Sequence, residues 1–328
     1  MPASESRVPA QGGPQAPERF HGEVVRIIVA YPHQPVFPLF VELREMRDKA
    51  LKALERRKPA ERSRELLRTT GLICAAMANA AFDQGRLSAA EGQVRTAHRC
   101  AELAEDQALR CWIRGTEALI AYWDERHRDA VELAADGRRF VPEIGTAMVR
   151  LAAVEARAHA HLGDAIAAEQ ALARTALARS EVGGPDQPGG LMEFPLPKQQ
   201  AYAATTELWL GGQHRLARAE RAVTEAIEGY LQDPPERTRV GELCLARLDL
   251  AAVRIAADDL DGAGEQIGAV LTAAASRRTE AVVRRLRQLV RALHRTRHQS
   301  APQAIELRER IGAFCAARGV SPLVNIPA

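Results

Sequence analysis

Two arginines separated by seven positions are the first side chains in this sequence whose type and spacing suit the binding of a charged group. Arg150 and Arg157 lie two turns apart on one face of a predicted helix. Guanidinium groups bind carboxylates and phosphates through paired N–H donors, so the two arginines could clamp an anion. The alternative is a solvated pair that is bridged to acidic neighbours such as Glu155.

Aromatic side chains cluster on the same set of predicted helices. Aromatic residues make up only 4% of the 328 residues, yet all three tryptophans fall on these helices. This clustering predicts an amphipathic pocket, and the alternative is that each ring only packs in the core. Together with one loop residue, the positions predicted to line a ligand-binding groove are Asn79, Phe82, Trp112, Tyr122, Trp123, Arg150, Arg157, His161, Phe194, Gln199, Tyr202, Thr206, Trp209 and Asp249.

No catalytic motif stands out in the sequence. It contains no G-x-x-x-x-G-K-[ST] phosphate loop, no H-E-x-x-H, no G-x-S-x-G and no dinucleotide-binding fingerprint. An acid–base pair of Asp249 with His161 stays open, although nothing in the spacing requires it. His294 and His298 are four residues apart and could chelate a metal, but no Glu or Cys with suitable spacing accompanies them. Neither a metal nor another cofactor is predicted.

A repeated helix-pair signature positions these residues. Its five copies begin at Gly85, Glu125, Gly163, Gly212 and Asp258, and they end at Ala90, Ala130, Ala168, Ala217 and Ala263. A small residue lies twelve positions before each of these alanines, and Ala, Gly, Thr or Val lies seven positions after it. Small residues let two antiparallel helices approach closely, and a glycine permits the tight turn between them. The pattern predicts an all-α fold, namely a right-handed α-solenoid of tetratricopeptide-like helical hairpins.

The repeats divide the chain into four regions. We expect a disordered tail at 1–17, N-terminal capping helices at 18–58, five helix pairs at 59–278 and C-terminal capping helices at 279–328. The segment His21–Ala30 is predicted as a short helix, with an added strand as the alternative. In the C-terminal cap, a row of arginines is predicted to be a solvated face, with docking of an acidic partner or nucleic acid as the alternative, and it consists of Arg284, Arg287, Arg291 and Arg295.

The segment 181–197 interrupts the repeats. It is rich in Pro and Gly and is too long for a plain connection, and long ordered loops are often functional. Met192 and Phe194 supply apolar anchors, so we expect the loop to cover the groove or form a pocket wall, with a disordered linker as the alternative. Lys198 and Gln199 follow at the start of a helix, where free N–H groups suit an anionic ligand; a simple helix start is the alternative.

Composition and charge bear on location and partners. The chain has 41 Arg but only 4 Lys, and its net charge of +3 is too small for a surface that coats DNA. Its five cysteines form no C-x-x-C pair, which is typical of reduced core cysteines in a cytosolic protein. Neither a signal segment nor a membrane-spanning apolar run is found, so a cytoplasmic protein is expected.

Two segments of the sequence carry a family resemblance. They are Ile113-Arg-Gly-Thr-Glu-Ala-Leu-Ile-Ala-Tyr-Trp-Asp124 and Gly189-Gly-Leu-Met-Glu-Phe-Pro-Leu-Pro-Lys-Gln-Gln-Ala-Tyr-Ala-Ala-Thr-Thr-Glu-Leu-Trp-Leu-Gly211. They resemble the tetratricopeptide-like sensor region of bacterial xenobiotic-response-element-type helix-turn-helix regulators, and the resemblance extends over about residues 36–318. Such regulators carry a DNA-binding domain before the sensor region, and here only about 20 to 35 residues precede the first long helix. The resemblance therefore implies a sensor that acts on partner proteins without contacting DNA itself.

These observations favour a non-enzymatic regulatory module. It would bind a small molecule or a short peptide in a concave groove and relay this binding to a partner protein. One alternative is a protein–protein scaffold that has no small ligand. Another is a repurposed regulator fold that catalyses a step in a specialised metabolic pathway. A homodimer is possible, whereas direct DNA binding is not expected.

Overall fold

The computed structural model describes residues 16–55, 60–274, 278–295, 297 and 299–317. Across these residues the chain forms fourteen α-helices and two short 3₁₀ turns, with no β-strand, which confirms the predicted all-α class. None of the described helices combines the length and the apolar character needed to cross a membrane. Residues 1–15 of the predicted tail and His298 lie outside the described residues.

Most helices lie close to the positions that the repeat pattern predicts. The segment that includes His21–Ala30 is helical, as expected. The helices are α1 (Ala16–Ala30), α2 (Val36–Leu54), α3 (Ala60–Asp83), α4 (Leu87–Leu103), α5 (Gln107–Trp123), α6 (His127–Gly137), α7 (Ala147–His161), α8 (Ala165–Ser180), α9 (Leu196–Leu210), α10 (Gln213–Leu231), α11 (Val240–Ala256), α12 (Leu260–Ala273), α13 (Glu280–Leu293) and α14 (Pro302–Ala316).

The helices pack as consecutive pairs in two layers. Each of α3, α5, α7, α9 and α11 packs against the helix that follows it. These five helices and α13 also contact one another in series, and we call them the inner helices; α4, α6, α8, α10 and α12 are the outer helices. Since α13 contacts α3 as well as α11, the inner layer curls back on its own beginning. The inner helices therefore surround a common interior.

Arginines of α13 also contact the C-terminal end of α5. Arg284 donates to the backbone carbonyl of Trp123 at the end of α5 and pairs with Glu280 at 2.9 Å. Arg291 lies 3.5 Å from Glu125. The prediction that this row of arginines is a solvated face is wrong for Arg284, whose side chain is only a quarter exposed.

The turn inside each helix pair depends on a residue with positive φ. Gly85 and Gly163 have φ of 74° and 76°. The two copies that lack glycine adopt the same conformation, because Glu125 and Asp258 both have φ of 62°. Non-glycine residues rarely occupy this left-handed region. The weaker copies therefore share the backbone of the stronger ones, which the sequence pattern alone did not require.

The fourth copy begins one residue earlier than predicted. Helix α10 starts two residues after Gly211, which has φ of 72°, just as α4 starts two residues after Gly85. Alignment of the signature on Gly212 places Ala217 and Thr224 in the contact between the paired helices. In the structure Ala217 is exposed, and Val223, one residue before Thr224, is fully buried. One residue corresponds to a rotation of about 100° around a helix. The side of α9 that is predicted to face the groove is therefore rotated by about 100° from the side that the alignment on Gly211 gives.

Candidate ligand-binding site

A cavity of about 110 Å³ lies between the inner helices. We call it the central cavity. Its walls combine aromatic rings with ionisable groups, an arrangement common in small-molecule sites. The aromatic lining residues are Tyr31, Phe82, Trp123, Tyr202 and Tyr230, and the polar ones include Asn79, Asp83, Arg157, Lys198, Glu242 and Asp249.

Arg157 is a buried guanidinium held between aromatic rings. It comes from α7, is only 4% exposed, and its Cζ lies 4.1 Å from the ring centroids of both Tyr122 and Tyr202. Burial lowers the pKa of Arg157, but Tyr122, Tyr202 and Asp249 together raise it above the ordinary value, so the group stays charged. Among the described residues, no carboxylate forms an ion pair with it, and its Nε has no hydrogen-bond partner.

Asp249, the carboxylate that acts electrostatically on Arg157, is already compensated. Its Oδ1 lies 2.7 Å from Arg285 of α13, and its Oδ2 accepts a hydrogen bond of 2.9 Å from the hydroxyl of Thr205. Both members of the ion pair are buried. Because Arg285 neutralises Asp249, the positive charge of Arg157 remains without a counterion of its own.

A second ion pair lies elsewhere on the wall of the central cavity. Lys198 at the start of α9 lies 2.8 Å from Glu242 of α11, and the hydroxyl of Tyr230 donates to the same carboxylate at 3.1 Å. Burial raises the pKa of Glu242, but Lys198 and Arg239 outweigh this effect and hold it at about 2. Glu242 is therefore ionised at neutral pH and matched in charge by the lysine.

A histidine stack lies behind the tyrosines that hold Arg157. The Nε2 of His161 lies 3.1 Å from the hydroxyl of Tyr122. The His161 ring is stacked on that of His127 with centroids 4.2 Å apart, and the Trp209 ring lies 4.1 Å away. Burial, the neighbouring His127, and Arg157 lower the pKa of His161 to about 3. The stack is therefore uncharged at neutral pH and supports Tyr122 from behind.

The structure brings only part of the predicted groove together. Six of the fourteen predicted residues line the central cavity, and they are Asn79, Phe82, Trp123, Arg157, Tyr202 and Asp249. Three more, Tyr122, His161 and Trp209, form the layer behind Arg157. The predicted clustering of aromatic residues holds for Phe82, Trp123 and Tyr202, which line the same cavity, whereas Trp112 and Trp209 do not line it.

Trp112 and Arg150 lie away from the central cavity. Arg150 is buried, with its Cζ 4.5 Å from the Trp112 ring centroid, and it donates to the Trp112 carbonyl at 3.3 Å. Burial lowers the pKa of Arg150 to about 10. The alternative of a solvated arginine pair bridged to Glu155 is also wrong, since Glu155 pairs instead with Arg138 and Arg174.

The one-residue shift in the fourth repeat explains the misplaced residues of α9. Gln199 faces α8, where its Oε1 accepts a hydrogen bond of 2.8 Å from Arg179. The hydroxyl of Thr206 donates to the carbonyl of Tyr202 inside the helix. With the signature aligned on Gly211, Gln199 and Thr206 are replaced by Lys198 and Thr205, and these two contact the ionised groups described above, whereas Tyr202 lines the cavity as predicted.

The remaining site residues had no signal in the repeat pattern. Tyr31 lies in the turn after α1, and its hydroxyl donates to Asp83 at 2.7 Å. Arg285 lies on the capping helix α13, which reaches the cavity only because the inner layer curls back. Neither position follows from the repeat pattern, since Tyr31 lies before the first repeat and Arg285 reaches the cavity only through the closure of the inner layer.

The loop 181–197 is ordered and lies against α1. Phe194 is 1% exposed, its backbone N–H donates to the hydroxyl of Thr146 at 2.8 Å, and its ring packs edge-on against Tyr202 at 5.1 Å. A Cβ on Gly190 would lie 2.4 Å from the Cα of Val29, so only glycine fits there. The loop contributes one residue, Leu191, to the wall of the central cavity.

Comparisons with known proteins add no identification to this geometry. No protein-family model matches the chain, and a search of curated proteins found no significant match. The likeness to regulator sensor regions therefore depends on the two sequence segments described above.

Proposed function

We propose that this chain is a regulatory module that binds a small molecule or a short peptide through an anionic group in the central cavity. In this proposal the helix pairs form a right-handed tetratricopeptide-like solenoid, and a partner protein reads the liganded state. The consecutive packing of helix pairs and the resemblance to regulator sensor regions support the architecture. A ligand that contacts several inner helices at once would favour one curvature of the array.

One observation carries the proposal, namely the unpaired charge of Arg157. The surrounding tyrosines and Asp249 keep the guanidinium of Arg157 charged, so the cavity presents a positive charge at neutral pH. Arg157 is buried against the central cavity, is held by two tyrosines and forms no ion pair with a carboxylate of the described residues. A carboxylate or phosphate in the cavity would supply the missing negative charge through charge-assisted hydrogen bonds.

The shifted pKa values near the cavity favour binding over acid–base catalysis. An efficient general acid or base has a pKa near the working pH. Glu242 has a pKa of about 2 and His161 one of about 3, so at neutral pH both stay in a single protonation state. For this reason we propose a binding function rather than the enzymatic alternative.

The test compares an anion with its neutral isostere. Butyrate and butyramide have nearly the same shape, so calorimetric titration of each isolates the contribution of the negative charge. We expect the protein to prefer butyrate, and the Arg157→Met variant to lose this preference by about tenfold or more. Arg150→Met is the matched control, because Arg150 lies outside the central cavity, and it should keep the preference.

Stability separates a binding role of Arg157 from a structural one. If the guanidinium serves mainly a ligand, Arg157→Met should unfold at nearly the same urea concentration as the wild type, since methionine can keep the contacts with the rings of Tyr122 and Tyr202. A marked loss of stability would show that Arg157 holds the fold. Equal affinity of the wild type for butyrate and butyramide would overturn the proposal.

A further inference from the structure

A second and larger pocket lies on the other side of the interrupting loop. It has a volume of about 360 Å³, within the range typical of small-molecule sites. Its walls come from α1, α3, α5, the segment before α7 and the loop 181–197. We call it the loop pocket. It shares none of the residues that line the central cavity, so it is a separate space.

The interior of the loop pocket is apolar. Leu72, Leu109 and Met192 are buried side chains that line it, and Val25 and Ile144 add aliphatic surface. These residues come from five separate parts of the chain. Apolar groups in a concave site favour the entry of an apolar ligand, because binding removes surface from water on both partners.

The ionisable groups around the loop pocket are already engaged. Arg68 and Asp106 pair at 2.6 Å. Asp186 accepts two hydrogen bonds of 2.7 Å, from the backbone N–H and the hydroxyl of Thr146. The Nδ1 of His21 lies 3.0 Å from the hydroxyl of Thr69. Arg68 and Asp106 neutralise each other, and both oxygens of Asp186 accept hydrogen bonds from Thr146, so these groups already have polar partners within the protein.

Trp112 provides the polar group that the loop pocket leaves unsatisfied. Trp112 lines the pocket, the residue is only 3% exposed, and its Nε1 has no hydrogen-bond partner among the described residues. The Arg150 guanidinium stacks on the indole ring, with its Cζ 4.5 Å from the ring centroid. A buried N–H without an acceptor costs about 1 to 3 kcal/mol. A ligand oxygen would relieve that cost.

We infer that the loop pocket is a second ligand site, for an uncharged, mainly apolar molecule that carries a hydrogen-bond acceptor for the indole N–H of Trp112. The site differs in chemistry from the central cavity, where the proposed ligand group is an anion. The two meet at adjacent residues of one loop, since Leu191 lines the central cavity and Met192 lines the loop pocket. The loop is therefore a shared wall between them.

Two matched probes test the inference. Acetophenone and ethylbenzene have similar shapes, but only acetophenone carries a carbonyl acceptor. We expect the full chain to bind acetophenone about tenfold more tightly than ethylbenzene. In a ¹⁵N-labelled sample, the indole N–H resonance of Trp112, assigned from its loss in Trp112→Phe, should move downfield with acetophenone alone. Trp112→Phe should bind both probes with equal affinity.

A blocking variant locates the binding. Ala108 is an exposed residue at the start of α5 that lines the loop pocket, so Ala108→Phe should fill the entrance and weaken binding of both probes at least tenfold. Ala176→Phe, on the exposed side of α8, is the matched control and should bind both probes as the wild type does. Unchanged binding to Ala108→Phe, or equal affinity of the wild type for the two probes, would overturn the inference.

One further variant separates this site from the central cavity. Arg157→Met should bind acetophenone with wild-type affinity, because Arg157 does not line the loop pocket. If acetophenone instead competes with butyrate and loses affinity in Arg157→Met, the two sites are one, and the inference of a separate loop-pocket site is wrong.

Discussion

Helices α7 and α8 form one hairpin, yet they are built on opposite principles. In α7 burial extends around nearly the whole helix and includes Arg150, Glu155 and Arg157. In α8 burial is confined to a narrow row of Ala168, Ala171 and Thr175, and the rest faces solvent. The inner helix therefore contacts neighbours on all sides, whereas the outer helix needs only one seam to hold its partner.

This difference shows where the chain can accommodate specific chemistry. A buried charge requires partners from several directions, and only an inner helix is surrounded by enough elements to provide them. Arg157 illustrates this requirement, since its two stacking rings come from α5 and α9. The outer helices contribute small side chains that set the spacing of each pair. Substitutions in the two layers should therefore differ in size and in kind.

The largest effect is expected for the single acidic residue of α7. Glu155 is 3% exposed and pairs with Arg138, and with Arg174 at 3.1 Å. Glu155→Ala removes a buried charge from two arginines and should lower the free energy of unfolding by about 3 kcal/mol. Urea denaturation measures the change.

The matched control for that substitution is Glu169→Ala on α8. Glu169 pairs with Arg215 at 2.5 Å, but the carboxylate is half exposed. Exposed ion pairs contribute about 0 to 1 kcal/mol, so the control should be close to neutral. Equal losses of stability in the two variants would contradict the distinction between the inner and the outer layer.

An intermediate effect is expected in the seam of α8. Ala168 is fully buried, and its side of the helix packs on α7. Ala168→Leu forces extra methyl groups into a close helix contact and should destabilise the protein by about 2 kcal/mol. Ala173→Leu on the exposed side of the same helix should change stability by less than about 0.5 kcal/mol. Thermal unfolding measures the change in each variant. If Ala168→Leu and Ala173→Leu change the stability equally, the buried row of α8 is not the close contact with α7.

The sequence predicted the seam better than it predicted the site. Small residues at fixed offsets are a local signal, and they identified Ala90, Ala130 and Ala168, each of which is fully buried. The predicted alignment of the fourth copy is wrong by one residue, because Gly211 and Gly212 are adjacent and the signature fits either of them. Alignment on Gly212 shifts the predicted positions on α9 by one. Hydrophobicity is a second criterion that distinguishes the two alignments. Val223 is more hydrophobic than Thr224, and a preference for the more hydrophobic residue at the buried position selects the alignment on Gly211.

The repeat pattern does not predict which charged side chains of the interior form ion pairs with one another. The spacing predicts Arg157 as a groove residue, but no sequence pattern indicates that Arg285 of α13 pairs with Asp249. That contact depends on how far the inner layer curls, which is the sum of small rotations at each pair of neighbouring helices. The identity of the unpaired charge is therefore a property of the closed array and not of any single repeat.

The smallest effect that should still distinguish an inner from an outer helix is the loss of stability at low pH. His161, at the end of α7, has a pKa of about 3 in the folded protein and an ordinary value of 6.5 when exposed. Below pH 6.5 the unfolded chain binds a proton that the folded chain does not, so stability falls as the pH decreases from 6.5 towards 3. His161→Gln should remove about 1 kcal/mol of this loss at pH 5.5, as measured by urea denaturation at pH 7.5 and 5.5.

The exposed His214 of outer helix α10 provides the control. His214→Gln is therefore the matched substitution of a histidine that lies on the solvent-exposed surface. The stacked His127 also has its pKa lowered, by burial first, and will retain part of the acid sensitivity in the His161→Gln variant. If His161→Gln and His214→Gln reduce the pH dependence equally, the histidine stack is not sheltered from water, and the inner layer is more hydrated than its packing indicates.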